Sequence, residues 1–495
     1  GAILAGSVAT FYVFYAVMTF AAYGLVVDER SDSARRAART YLVMALGGEM
    51  LLVAAFLLVV RERIDLPFGE VPVSVARSPD RGVICALLVV GFGVKAGLVL
   101  LHLWLPLAHP VAPTPASAIL SGTIIEVALL GWLRLLPLGV ASLPGLGLAL
   151  AVLGLVTALY GAAVGVLQDD PKVVLAYSSV SQMGLAIVAF GVALAAPGAA
   201  APATAAIVFF ASHHATTKGS LFLGAAVAKE TRRGWPARLV TLGLLGAALA
   251  IAGAPFTSGA LAKGALTEAT MALPRGASAL AALLSIAAVG STLLMLRFLA
   301  LAAPSPAASA SVSPAASASV FPGVATPEGA SRAPRASGRG PRAGLWLPWL
   351  VLLAAAVALS FGLGSPLEPR AAYAKSGASW SGAWPVLAGV ALAAVASTVL
   401  RRTGREAPRV PPGDVLVFVE AALRSAQRTI VVVGRRARGV RRRLRVEAAR
   451  RLRLERRGAR LSARLQRADD RLADFENVGA LLLCLIAALV ASLLD

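Results

Sequence analysis

The stretch VGFGVKAGLVLLHLWLPLAHPVAPTP, residues 90–115, governs how the rest of the chain is read. It opens as an apolar run with one lysine, Lys95, in its middle, then meets Pro106, Pro110, Pro113 and Pro115. A run this long and this apolar belongs in a bilayer. A charged side chain at mid-membrane depth costs several kcal/mol, so it needs a reason. Prolines that break a membrane helix free backbone polar groups, and these are tolerated only where protein or a wet cavity satisfies them. A lysine beside a broken helix therefore points to an ion path.

A second segment repeats this pattern five spans later. IAGAPFTSGALAK, residues 251–263, carries Gly253 and Pro255 in its middle and ends on Lys263. Two broken helices, each with one lysine, predict an internal inverted repeat of the transporter kind. Further ionisable residues lie in the apolar runs between and around them. Glu49 stands in MALGGEMLLVA, Glu126 in LSGTIIEVALLGW, and Lys172 opens PKVVLAYSSVSQMG. His213, His214 and Lys218 stand in FFASHHATTKGSLFL. His214 and Lys218 are four residues apart and share one helix face. The protonation of a buried lysine depends on how close a carboxylate stands, so moving the partner switches it. That is the chemistry of a proton relay. By the same reasoning Lys172, at a span's edge, can snorkel, as can Arg134 and Arg297 near span ends. His109 falls among prolines and is read as a structural loop residue.

Composition agrees with a membrane chain. Of 495 residues, 58% are hydrophobic and 15% charged, against about 45–50% and about 25% in soluble domains; the mean hydropathy is +0.76. The formal charge is nevertheless +22. Only six of the basic residues are lysines, and 22 arginines against nine acids lie within 401–476 alone. Nucleic-acid binding is excluded as a reading, because such binders are not built from repeated apolar spans. The two cysteines, Cys85 and Cys484, lie in apolar runs and form no CxxC pair, which argues against disulfide, zinc and iron–sulfur chemistry. No metal site, cofactor fingerprint or nucleophile triad is expected.

The fold class predicted is all-α: a polytopic membrane protein of twelve spans, two of them broken. The spans fall at 5–27, 41–60, 83–107, 115–137, 146–167, 172–195, 202–228, 239–265, 277–302, 345–364, 383–400 and 478–494. Lys and Arg concentrate after odd-numbered spans, which places those loops in the cytoplasm. The domains follow: a core at 1–303, a linker at 304–343, further membrane helices at 344–400, a basic segment at 401–477 and a last span at 478–495. The linker contains the octad SPAASASV twice in tandem, at 305–312 and 313–320, a composition with nothing to pack. The basic segment carries apolar residues at Leu461, Leu465, Ala468, Leu472 and Phe475, a helical stripe. It reads either as a helix on anionic lipid headgroups or as a lateral strut across neighbouring subunits.

As a set, four motifs are specific: VKAGLVLLHLWLPLAHPVAPTPASAILSG, LQDDPKVVLAYSSVSQMG, HHATTKGSLFLGA and IAGAPFTSGALAK. Over roughly residues 9–300 the chain closely resembles the antiporter-like subunits of respiratory complex I, a family shared with Mrp-type cation/proton antiporters and membrane-bound hydrogenases. The resemblance implies a proton-translocating subunit of a redox-driven complex of the NADH:quinone oxidoreductase kind, with no redox chemistry or cofactor of its own. It implies other membrane subunits as partners, protons as cargo with sodium left open, and a bacterial inner membrane as location. It maps Lys95 to the central channel lysine, Glu126 to a position that is lysine in many members, Lys172 to the lysine of the DPK motif, His214 and Lys218 to a His-x-x-x-Lys pair, and Lys263 to the distal residue.

The same resemblance aligns the first span with the family's fifth helix, so that about four preceding helices are expected to be missing. It also places Ala16 where the family carries a glutamate that pairs with the channel lysine. Glu49 or Glu126 is then the substitute carboxylate for Lys95. Gly264 stands where an acid often follows the distal lysine. A cation/proton antiporter, the membrane partner of an inorganic-carbon uptake complex, and a degenerate scaffold that conducts nothing are the competing expectations. The alanine at position 16 is the best support for the last.

Overall fold

The computed structural model describes residues 1–61, 66–231, 234–273, 276–302, 343–361, 380–404, 408 and 410–411. All fall in the compact unit Gly1–Gly413. Nearly all of the predicted linker, the basic segment past residue 411 and the last span at 478–495 lie outside the described residues.

The described residues are helical, with no strand among them. In chain order the helices are α1 Val8–Val27, α2 Asp32–Val60, α3 Val71–Arg77, α4 Arg81–Ala96, α5 Trp104–Val111, α6 Thr114–Ile119, α7 Ile125–Leu135, α8 Pro144–Val166, α9 Pro171–Ala195, α10 Ala200–Glu230, α11 Gly234–Ala252, α12 Ser258–Thr270, α13 Ala277–Ala302, α14 Ala343–Ser360 and α15 Trp380–Thr403. A π-helical turn, Leu120–Ile124, joins α6 to α7. Eight helices in the described residues are long and apolar enough to cross a membrane. The two predicted breaks are present, one between α4 and α5 and the other between α11 and α12.

Local signals start these helices where the side chains can cap them. Ser7 accepts from the Thr10 amide at the start of α1, and Ser31 from the Ala34 amide at the start of α2. Such caps satisfy amides that the first turn leaves free. Asp170 accepts from the amides of both Lys172 and Val173, and Pro171 occupies the first position of α9, where its missing N–H costs nothing.

α9 is the centre of the bundle. Its whole apolar window is buried, whereas only 28% of that of α1 and 17% of that of α15 are. Val13, Phe14, Val17 and Phe20 on α1 and Leu392, Val395 and Val399 on α15 remain exposed, an apolar exterior that suits a bilayer. α8 packs on α9 backbone to backbone. A Cβ on Gly154 would come 2.8 Å from the Gly184 carbonyl oxygen, and one on Gly161 2.7 Å from the Ser181 amide. Small residues are what allow membrane helices to approach this closely.

Candidate functional site

Lys95 lies in the last turn of α4, directly before the first break. The helix ends because Gly97 takes a left-handed φ of 77°, which glycine adopts without steric cost. The Leu98 amide then donates back to Gly93 O at 3.0 Å, and Trp104 Nε1 reaches back across the break to Val94 O at 2.7 Å. The Val99 amide, freed by the break, finds Thr157 Oγ1 on α8 at 3.1 Å. The broken backbone is thus satisfied by protein, as a membrane interior demands.

The lysine ammonium is 1% exposed and lies 3.0 Å from Glu49 Oε1 on α2. It also donates to Thr19 Oγ1 at 2.5 Å and to Tyr15 O at 3.4 Å, both on α1. The Thr19 hydroxyl in turn donates to Glu49. The ammonium stands 3.4 Å from the centroid of the Tyr15 ring, a cation–π contact that favours the charge. The α2–α4 approach makes the pair possible. A Cβ on Gly48 would meet Gly91 O at 2.8 Å, and one on Gly91 would meet Gly48 O at 2.9 Å. Of the two carboxylates left open by the sequence, Glu49 is therefore the one at Lys95. Position 16 is alanine, as the resemblance implied, and the carboxylate at Lys95 stands on the second helix instead of the first.

Glu126 serves a different partner. Its Oε1 lies 2.6 Å from His214 Nδ1 on α10. The π turn before it holds one residue more than an α turn, so α7 is rotated relative to α6. At that turn Gly122 lies so near α10 that a Cβ would come 2.9 Å from Ala215 O. His214 is fully buried and the Glu126 side chain 13% exposed, with the Phe210 ring stacked parallel to the imidazole at 6.3 Å. Glu126 Oε2 and His214 Nε2 have no hydrogen-bond partner among the described residues.

His214 and Lys218 share a face of α10, but they do not share a partner. Lys218 is fully buried and donates to Leu175 O on α9 at 2.9 Å. Lys172, one turn earlier on α9, donates to Ala112 O at the end of α5 at 2.6 Å. It is tied down inside the protein rather than reaching for the headgroups. Arg297 on α13 is held too: it donates to Gln168 O at 2.9 Å and to Asp169 Oδ1 at 2.6 Å, fixing the loop that leads into α9. Arg134 donates at 2.8 Å to both Ala5 O and Ile3 O. These anchoring contacts were not legible from position alone.

At the second break Gly253 takes φ 87° and the chain turns before Thr257 caps α12. Lys263 donates to Ile251 O at 2.8 Å and Ala252 O at 3.1 Å, the last carbonyls of α11. A helix C-terminus carries partial negative charge and suits a cation. A cavity of about 560 Å³ opens beside it, lined among others by Lys263, Thr267, Glu268, Ser285 and Trp384. His213, next to His214 on α10, places Nδ1 2.9 Å from Ser258 Oγ at the start of α12. The sequence pattern had not singled out this link. α10 thus faces α7 through His214, α9 through Lys218 and α12 through His213. No group of three potential metal ligands occurs among the described residues.

Comparison with known proteins agrees with this architecture. Residues 5–289 match the family described as NADH:quinone oxidoreductase/Mrp antiporter, transmembrane. The chain is 32% identical over 225 residues to hydrogenase-4 component B of Escherichia coli (strain K12), covering 43% of this chain and 33% of that protein. It is 28% identical over 237 residues to a Na(+)/H(+) antiporter subunit of Alkalihalophilus pseudofirmus, covering 46% of each. Its fold resembles a chain in the structure of the Mrp complex from Dietzia sp. DQ12-45-1b, with TM-score 0.65 and 23% identity, over 97% of this chain and 50% of that one. The chain spans between a third and a half of the length of these relatives.

Proposed function

Because the chain belongs to the NADH:quinone oxidoreductase/Mrp antiporter transmembrane family, we propose that it moves protons across a membrane as one subunit of a larger complex. The observation that carries this reading is the Lys95–Glu49 ion pair, buried in the bundle at a break in a membrane helix. A buried ion pair is weak as a source of stability, but a charge whose partner can move is a switch for protons. From it the groups continue through Glu126–His214 and through Lys172 and Lys218 to Lys263, which opens on a cavity. In this reading protons enter and leave the series as the Lys95–Glu49 pair opens and closes, driven by a redox or ion step in a partner subunit.

The complex, in the same reading, is of the NADH:quinone oxidoreductase kind and sits in a bacterial inner membrane. This chain contributes twelve spans, its two broken helices being counterparts in an inverted repeat within the core, with the basic 401–477 segment lying laterally on lipid or on neighbouring subunits. The Na(+)/H(+) antiporter subunit among the relatives keeps a cation/proton antiporter open as second reading. The scaffold reading loses its main support, since Lys95 does have a carboxylate.

The test is Lys95→Ala, measured as proton uptake in inverted membrane vesicles that hold the chain with its native partners. Uptake falls to the level of vesicles without the chain. Uptake equal to wild type, with the complex assembled, overturns the reading. Replacing external sodium with choline separates the two ion choices, since only a sodium-coupled exchanger slows.

A further inference from the structure

His109 was expected in a loop, and the structure places it inside α5, fully buried. Pro113 has no N–H to offer the His109 carbonyl, so the Ser117 hydroxyl donates to that carbonyl instead, at 3.1 Å. The backbone of the residue is therefore satisfied and fixed. Its side chain is not. The imidazole stacks on Phe222 with ring centroids 4.9 Å apart and planes 22° from parallel, yet neither Nδ1 nor Nε2 has a hydrogen-bond partner among the described residues. Leaving a buried polar group unpaired costs about 1–3 kcal/mol. A site selected only for packing would place phenylalanine or leucine there and avoid that cost.

The neighbours of the ring bear the cations. Phe222 follows Lys218 by four residues on α10, so ring and ammonium share one face. Ala112, three residues after His109, is the residue whose carbonyl holds the Lys172 ammonium. Leu175, three residues after Lys172 on α9, is the residue whose carbonyl holds Lys218. Lys172 is thus held one turn from His109 on α5 and Lys218 stands one turn from the stacked Phe222 on α10, each hydrogen-bonded to a main-chain carbonyl.

We infer that His109 is a relay residue that carries protons between Lys172 and Lys218. This inference rests on the translocation reading above. In the step, the neutral ring accepts a proton at its free nitrogen from the Lys172 ammonium, leaving an amine. It then releases the proton on its other nitrogen to the Lys218 amine. One proton has moved, and the ring ends as the other tautomer. A bridging water can span each gap at about 0–2 kcal/mol of immobilisation. Histidine is the side chain best suited to this, because it can accept on one ring nitrogen and donate from the other.

The test uses vesicles holding the complete complex, with His109→Gln, His109→Phe and Lys95→Ala compared at equal amounts of assembled protein. His109→Phe keeps a ring against Phe222 but has no proton to pass. Both His109 variants lose proton flux by at least about tenfold, a threshold set below the roughly hundredfold low end of general acid–base effects, and the pH profile of the residual flux changes shape. Normal flux and an unchanged profile in both overturn the inference. If Lys95→Ala meanwhile abolishes flux, only the His109 role falls; if Lys95→Ala also conducts normally, the translocation reading falls with it. Phe222→Leu guards against loss of assembly in the His109 variants. It removes the stacked ring but keeps the imidazole, and flux stays within about twofold of wild type; a tenfold loss in an assembled Phe222→Leu complex shows that packing alone matters and overturns the inference.

Discussion

The two broken helices solve the same problem in different ways. At the first, the lysine precedes the break and meets a carboxylate: Lys95 is held by Glu49, Thr19 and the face of Tyr15, all on helices other than its own. At the second, the lysine follows the break and meets main chain: Lys263 takes the last carbonyls of α11. The first arrangement is a pair of opposite charges that depend on each other. The second is one charge against a helix end, at the wall of a cavity. A paired lysine is sensitive to motion of another helix, whereas a lysine on the carbonyls of its own broken helix is not. Under the translocation proposal, the difference teaches where movement would be converted into protonation: at the first break.

Four substitutions test that contrast, from strongest to weakest. Glu49→Ala leaves Lys95 buried without its counter-charge, which costs about 3–5 kcal/mol. The apparent melting midpoint of the detergent-solubilised complex drops accordingly, and a midpoint equal to wild type breaks the contrast. Gly91→Val forces a branched side chain against Leu52 and the Gly48 backbone. It costs about 1–3 kcal/mol by overpacking and pushes Glu49 from Lys95, so proton flux falls along with stability; loss of stability with normal flux would detach the pair from transport. Gly253→Ala puts a side chain on a left-handed residue, with its Cβ 3.0 Å from Lys263 Cδ, at about 1–2 kcal/mol. Its thermal midpoint falls by less than that of Glu49→Ala. Lys263→Gln keeps a donor for one α11 carbonyl and removes the charge, so its stability change stays within about 1 kcal/mol, while flux is lost. A fall as large as that of Glu49→Ala would mean that the second break also depends on a charge pair.

Much of this was legible in the sequence. The depth of Lys95, Glu126, Lys218 and Lys263 in apolar runs, and the prolines and glycines beside the first and last, were enough to place both breaks and most of the ionisable groups. What membrane depth does not encode is which neighbouring helix faces a given charge. The choice between Glu49 and Glu126 turned on the Gly48–Gly91 approach, and the glycines in GGE and GFG were the available but unused signal. The π turn at 120–124, which rotates Glu126 relative to α6, adds a single residue and leaves no periodicity trace in so short a segment. His109 was misplaced because proline predicts interruption, yet Pro110 sits inside α5 and Pro113 lies just past its end.

The burial of α9 bears on how the protein is made. Each of its faces ends against protein, and Ser178, Ser179, Ser181 and Gln182 are fully enclosed. A helix entering the bilayer alone would show those groups to lipid until neighbours covered them. α8, joined to it by residues 167–170, is the first available cover, and the glycine contacts between them need no other helix. An α8–α9 hairpin is thus the smallest unit that begins to cover these groups, and α10 and α13, which follow in the chain and also pack on α9, complete the cover.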